Sequence, residues 1–150
     1  MKNLYEPARV AELQGRLAQL RADSARQWGT MEPAQAVGHC SIAMTWAVGD
    51  AIPDRLFLGR IVGGFVKKFA LGNDEPMKRN SPTAPSLVVK NERELDAERA
   101  TLSGLLTRFA AAGPSGCTTH PHPFFGPLTP AEWAELMYKH VDHHLRQFGA

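Results

Sequence analysis

Residues 129–148 read TPAEWAELMYKHVDHHLRQF, and the rest of the chain is organised around this stretch. Thr129 is a good helix N-cap, and Pro130 suits the first helical position, where no backbone N–H is needed. Glu132, three residues after the threonine, completes a capping box. Trp133, Leu136, Met137, His140, Val141, His144 and Phe148 recur at steps of three and four, so they share one face of a helix, with Asp142 opposite. Gly149 ends the run.

At roughly 100° per residue, His140 and His144 fall near the middle of the apolar stripe. One turn separates them, a rise of about 6 Å. Two imidazoles at that spacing can reach one ion, as in the HExxH helix of zinc proteases. Val141 stands where those enzymes carry a glutamate base, which argues against such a protease. The competing reading is a pair of core histidines hydrogen-bonded to their neighbours. Either way a buried neutral imidazole needs a partner, and charging it there is costly. A shared cation satisfies both rings. His143 lies at the edge of the stripe and is expected to face solvent or an interface.

The chain has 150 residues, a single domain's worth, with 43% apolar residues and a net charge of +2. Nothing in this balance suggests a nucleic-acid footprint or a polybasic membrane patch. No apolar run approaches the roughly 20 residues of a membrane span. The first residues, MKNLYEP, lack the apolar core of a signal peptide. Cys40 and Cys117 form no CxxC pair and no disulfide framework. A cytoplasmic protein is the expectation.

Strand signals are nearly absent, and Leu87 to Val89 is the one short β-like run. A first helix is expected over Pro7–Asp23, with Val10, Leu13, Leu17 and Leu20 as its stripe. Trp28, in the following connection, is expected to pack across the end of the bundle. A second helix starts near Thr30–Pro33 and runs to Val48. It is apolar nearly all round, which marks it as central. His39 stands in its middle, on the face of Ile42, Ala43 and Trp46, with Gly38 beside it admitting a close neighbour. His39 is either a third ligand or a core histidine bonded to a carbonyl. Cys40 points elsewhere and reads as packing.

A third helix spans Asp54–Leu71, with Leu58, Ile61, Val62, Phe65 and Phe69 as its stripe. Gly63 and Gly64 either weaken it or permit a close crossing. Residues 72–85 form a long proline-rich loop, in which Lys78 and Arg79 either meet an anionic substrate or are solvated. A fourth helix runs from a cap at Asn91, with Glu94 three residues on, to Ala112. The segment HPHPFFGPL (120–128) is too proline-rich for helix or sheet. His122 within it is either a further ligand, a donor to one, or a surface residue.

Three histidines suit zinc, nickel, iron or copper rather than calcium or magnesium. Three protein ligands leave a position open for water or substrate. A pocket lined by Trp46, Met137 and loop residues is expected to hold that substrate. The alternatives are a non-catalytic, stress-associated bundle stabilised by its ion, and a metal-free small-molecule or dimerisation module.

A histidine midway along the second helix, in Gly38-His39-Cys40, and an HxxxH on the last helix of a short helical chain together resemble the DinB-like (YfiT-like) superfamily. The tail from His122 through Trp133 to Phe148 resembles one bacterial branch of it, a domain of unknown function. The resemblance implies an all-α fold, a four-helix bundle with a long crossover loop. It places His39, His140 and His144 at the superfamily's metal-ligand positions, with zinc or nickel as the ion. It further implies a homodimer and, by analogy with some relatives, a metal-dependent transferase using a low-molecular-weight thiol. Other relatives isomerise maleylpyruvate, and no residue here selects among these activities.

Overall fold

The computed structural model describes residues 1–150 as five α-helices without a strand. They are α1 (Pro7–Gln19), α2 (Pro33–Ala47), α3 (Phe57–Ala70), α4 (Leu95–Ala112) and α5 (Pro130–Gln147). Single 3₁₀ turns stand at Pro85–Leu87 and Pro114–Gly116. The turn at Pro85–Leu87 takes the place of the β-like run. No helix is long and apolar enough to cross a membrane.

Four helices pack on one another: α2 lies against α4 and α5, and α1 lies against the same two. Their stripes meet in one cluster that includes Leu13, Leu17, Met44, Leu102, Leu106, Phe109, Trp133 and Met137. Buried apolar surface of this extent is the main favourable term in folding.

The helix ends differ from the sequence expectation in ways that packing explains. The first helix stops at Gln19 rather than Asp23, and Leu20 turns extended. Arg99 of α4 donates to the carbonyls of Leu17 and Leu20, so a tertiary donor ends the helix. The third helix begins at Phe57 rather than Asp54, because Leu56 is extended and donates its N–H to Pro123 O at 3.0 Å. The fourth is capped by Glu94, not Asn91, whose side chain instead accepts from Arg93. The capping box of α5 forms as its sequence demands: Glu132 N–H donates to Thr129 Oγ1, and Thr129 N–H to Glu132 Oε2.

Periodicity makes α5 amphipathic, yet the structure buries it on nearly all sides. Glu135, Lys139 and Asp142, its polar face, are buried. Lys139 donates to Ala70 O and Asn73 Oδ1, both at 2.9 Å, and Glu135 accepts from Gly72 N–H. Asp142 is held between Arg16 of α1 at 2.7 Å and Arg146 at 2.8 Å. Charges this deep persist only when paired and hydrogen-bonded.

α3 sits on the 123–127 turn and does not pack its backbone close to any other helix; side chains alone tie it to α5, through Lys67 to Glu132 and Lys139 to Ala70 O. Its two central glycines are not equivalent. A Cβ on Gly63 would come within 1.9 Å of Phe124 O, and one on Gly59 within 2.6 Å of the same oxygen. A Cβ on Gly64 would meet nothing within 4 Å. Gly59 and Gly63 therefore let the helix axis approach backbone, whereas Gly64 only weakens the helix. We expect Gly63→Ala to cost about 1–3 kcal/mol, as overpacking does. Gly64→Ala should instead stabilise by about 0.5–1 kcal/mol. Urea unfolding of the two variants checks this, and equal effects would show that α3 is seated otherwise.

Candidate metal centre

Three imidazoles converge where α2 and α5 meet. His39 comes from the middle of α2, and His140 and His144 come from successive turns of α5. One nitrogen from each ring lies within 4.8 Å of the other two. His39 Nε2 and His140 Nε2 are 2.8 Å apart. The rings are mutually tilted by 67–75°, so none stacks flat on another. His39 is 3% exposed. His140 and His144 are partly buried.

The outer nitrogens decide which lone pairs face inward. His39 Nδ1 lies 2.8 Å from Leu87 O, and a carbonyl only accepts, so Nδ1 carries the proton and Nε2 is bare. His144 Nδ1 lies 2.9 Å from Gln147 Oε1. The Gln147 amide is oriented by its own donation to Trp28 O at 2.8 Å, which leaves the oxygen for His144. Ligating histidines are held in the same way, with the distal N–H on a carbonyl or amide oxygen. Without a cation, His140 must put a proton on Nε2 to bridge to His39. With one, that proton moves off.

These donors fit a transition-metal cation. Metal–nitrogen bonds of about 2.0–2.1 Å in tetrahedral array set neighbouring nitrogens about 3.3 Å apart. The His39–His140 contact thus opens by about half an ångström when a cation enters, a shift within side-chain freedom.

A family model matches residues 8–150, a span that contains α2, α5 and all three histidines. The chain belongs to the DUF1569 family. That family is described as a protein of unknown function. No curated protein and no solved structure matches the chain.

Other histidines of this DUF1569 chain do different work. His122 stays outside the cluster. Its Nδ1 accepts the N–H groups of Phe124 and Phe125, and its backbone pairs with Gly126 in both directions. The ring packs against Trp46, Phe125 and Trp133. It is thus neither a ligand nor a surface residue but the pin of the turn that seats α3. His143 lies between His144 and Trp28, at 5.0 and 5.4 Å between ring centres. Arg79 covers the other part of Trp28, with its guanidinium 4.1 Å from a ring centre. Lys78 is exposed.

Trp46 and Met137 are core residues, 4% and 1% exposed, so they do not line the expected substrate pocket. The neighbour that Gly38 admits is the Glu98 carboxylate of α4, which is paired to Arg93. Cys40 is buried, and burial pushes its thiol far up, so it is inert packing. Leu87 and Gln147 escaped the sequence reading. A backbone carbonyl leaves no side-chain signature, although Gln147 sits three residues after His144, on the same helix face.

Burial is the largest cause of depression at every histidine of the site. It lowers His39, and it lowers His144 to about 3, with the neighbouring His39 adding to the effect. His140 falls well below the usual value, through burial and then the like charges that His39 and His144 would carry. His122 drops to about 4, through burial and then Arg55. Folded values below unfolded ones mean that the unfolded chain binds more protons. Stability of chelator-treated protein is therefore full above about pH 6.5 and falls as the pH drops toward 4 and then 3. At pH 5 the loss should be on the order of 2 kcal/mol each from His122 and His144, with His39 and His140 adding in the same direction. Denaturant midpoints at pH 7.5 and pH 5 test this, and equal midpoints would contradict the neutral, buried state of these rings.

Proposed function

We propose that this chain is a metal-binding member of the DinB-like superfamily, a four-helix bundle of α1, α2, α4 and α5 with a long crossover between α2 and α4. His39, His140 and His144 would hold zinc or nickel with a fourth position open, and the ion would serve a transferase reaction of a low-molecular-weight thiol. The observation that carries this reading is the convergence of three neutral imidazoles, two of them with the outer nitrogen tied to an oxygen.

An all-nitrogen donor set favours a borderline transition metal over calcium or magnesium. Bound there, the ion supplies a Lewis acid that favours the deprotonated form of a thiol or water. The choice of nucleophile follows from the surrounding residues. Val141 occupies the place of a glutamate base. Glu135, Asp142 and Glu98 are each engaged by a cation. A site without a free carboxylate to accept a proton favours a nucleophile that is already fairly acidic. A thiol, with a pKa near 8.5, fits better than water. The partial exposure of His140 and His144 gives such a ligand its approach.

Protein purified without a histidine tag should carry about one ion per chain by elemental analysis, and His140→Ala should carry almost none. Full occupancy in that variant would sink the assignment. Gln147→Leu, which removes the acceptor of His144, should weaken metal affinity by about tenfold or more. The wild type, but not His140→Ala, should consume thiols from a low-molecular-weight panel with an electrophilic acceptor. Metal occupancy without any thiol turnover would support an ion that only ties α2 to α5.

A further inference from the structure

Five large apolar side chains of α3 project from the molecule, and the one aromatic contact among them is between Phe65 and Phe69 of the same helix. Phe57, Leu58, Ile61, Phe65 and Phe69 are between 61% and 79% exposed. At 100° per residue they form one continuous side of the helix. The opposite side, Gly59 and Gly63, is fixed to the backbone of residues 123–125. The helix is thus seated by its smallest residues, and its apolar stripe projects away from the core. A contiguous patch of this kind on a chain's surface marks an interaction site.

The charges around the patch narrow the partner. Between Arg55 and Asn73 the chain has no acidic residue. Arg60 and Lys68 lie toward one edge of the stripe, while Lys67 is turned toward the body of the molecule. Lys67 is held by Glu132 at 2.9 Å and by Pro127 O at 3.2 Å. Arg60 and Lys68 are exposed and make no ion pair. A second copy of the chain meeting α3 antiparallel about a two-fold axis would set this cationic edge against its own copy. Nothing acidic on the helix would offset that repulsion. A surface of anionic headgroups complements it instead.

We propose that α3 docks this protein on an anionic lipid bilayer, lying in the headgroup plane with the phenylalanines inserted. Its 14 residues span about 21 Å, too short to cross and sufficient to lie along the surface. Helices with aromatic and aliphatic residues on one side and lysine or arginine beside them bind at that boundary. Each exposed cation contributes through the negative surface potential, so binding depends on salt. The net charge of +2 averages over the chain; Arg60 and Lys68 stand on the helix itself, and the nearest acids, Asp54, Asp74 and Glu75, lie beyond its two ends.

The test is co-sedimentation of the full chain with large vesicles of phosphatidylcholine alone or mixed with phosphatidylglycerol. The wild type should pellet with the mixed vesicles at low salt and be released at high salt. Phe65→Asp should weaken binding by more than tenfold, and Lys68→Ala by about fivefold. Both positions are exposed, and circular dichroism confirms that the variants fold. Three results overturn the proposal: a wild type left in the supernatant, equal binding to uncharged vesicles, or a dimer in sedimentation velocity that Phe65→Asp splits and that ignores vesicles. The last would assign the face to a second copy.

Discussion

Two imidazole nitrogens 2.8 Å apart in a packed interior cannot both be protonated, and they cannot both be bare without repelling each other. The contact between His39 and His140 therefore needs either one shared proton or one shared cation. It joins α2 to α5, the two most completely buried helices, across a separation of 101 residues in the chain. Tightening this junction by a proton gives a hydrogen bond of ordinary strength. A cation there would take His144 as a third ligand. The same side chains thus suit a core contact or, on the proposed reading, a metal centre, depending on what occupies the space between them.

The segment between α2 and α4 supplies much of what keeps that junction in place. Leu87 O receives His39, while Ala70 O and Asn73 receive Lys139. Arg79 lies on Trp28, whose carbonyl orients Gln147 and, through it, His144. This segment thus walls one side of the cluster: Leu87 O fixes the His39 ring, and the other contacts act on Lys139 and on Trp28.

Periodicity and caps made α2 and α5 legible, because both signals are local: an apolar run with few polar positions in one, and Thr129 with Glu132 in the other. The interior placement of His39 followed from the same logic, since a polar residue inside an all-round apolar helix has to be used. What stayed hidden was non-local. The end of α1 is set by Arg99, some 80 residues away, and the start of α3 by the carbonyl of Pro123. The acceptor for His39 is a main-chain oxygen that any residue could provide. The polar face of α5 looked solvent-exposed because nothing in its own spacing announces Arg16, Gly72 and Asn73 as partners.

The stripe on α3 shows the limit of amphipathicity as a guide to burial. Its spacing is that of a core helix, and by period alone it should pack inward. Orientation was decided by the other side. Two glycines one turn apart allow backbone-to-backbone approach on the 123–125 turn, and that turn is rigid because His122 caps its amides while wedged between Trp46 and Trp133. Once the glycine side is committed to the body, the phenylalanines have nowhere to go but out. The pinning histidine and the clustered histidines are thus bound to the same two helices, α2 and α5, through Trp46 and Trp133 in one case and directly in the other. A single pair of helices positions both the candidate metal centre and the face by which the molecule meets its surroundings.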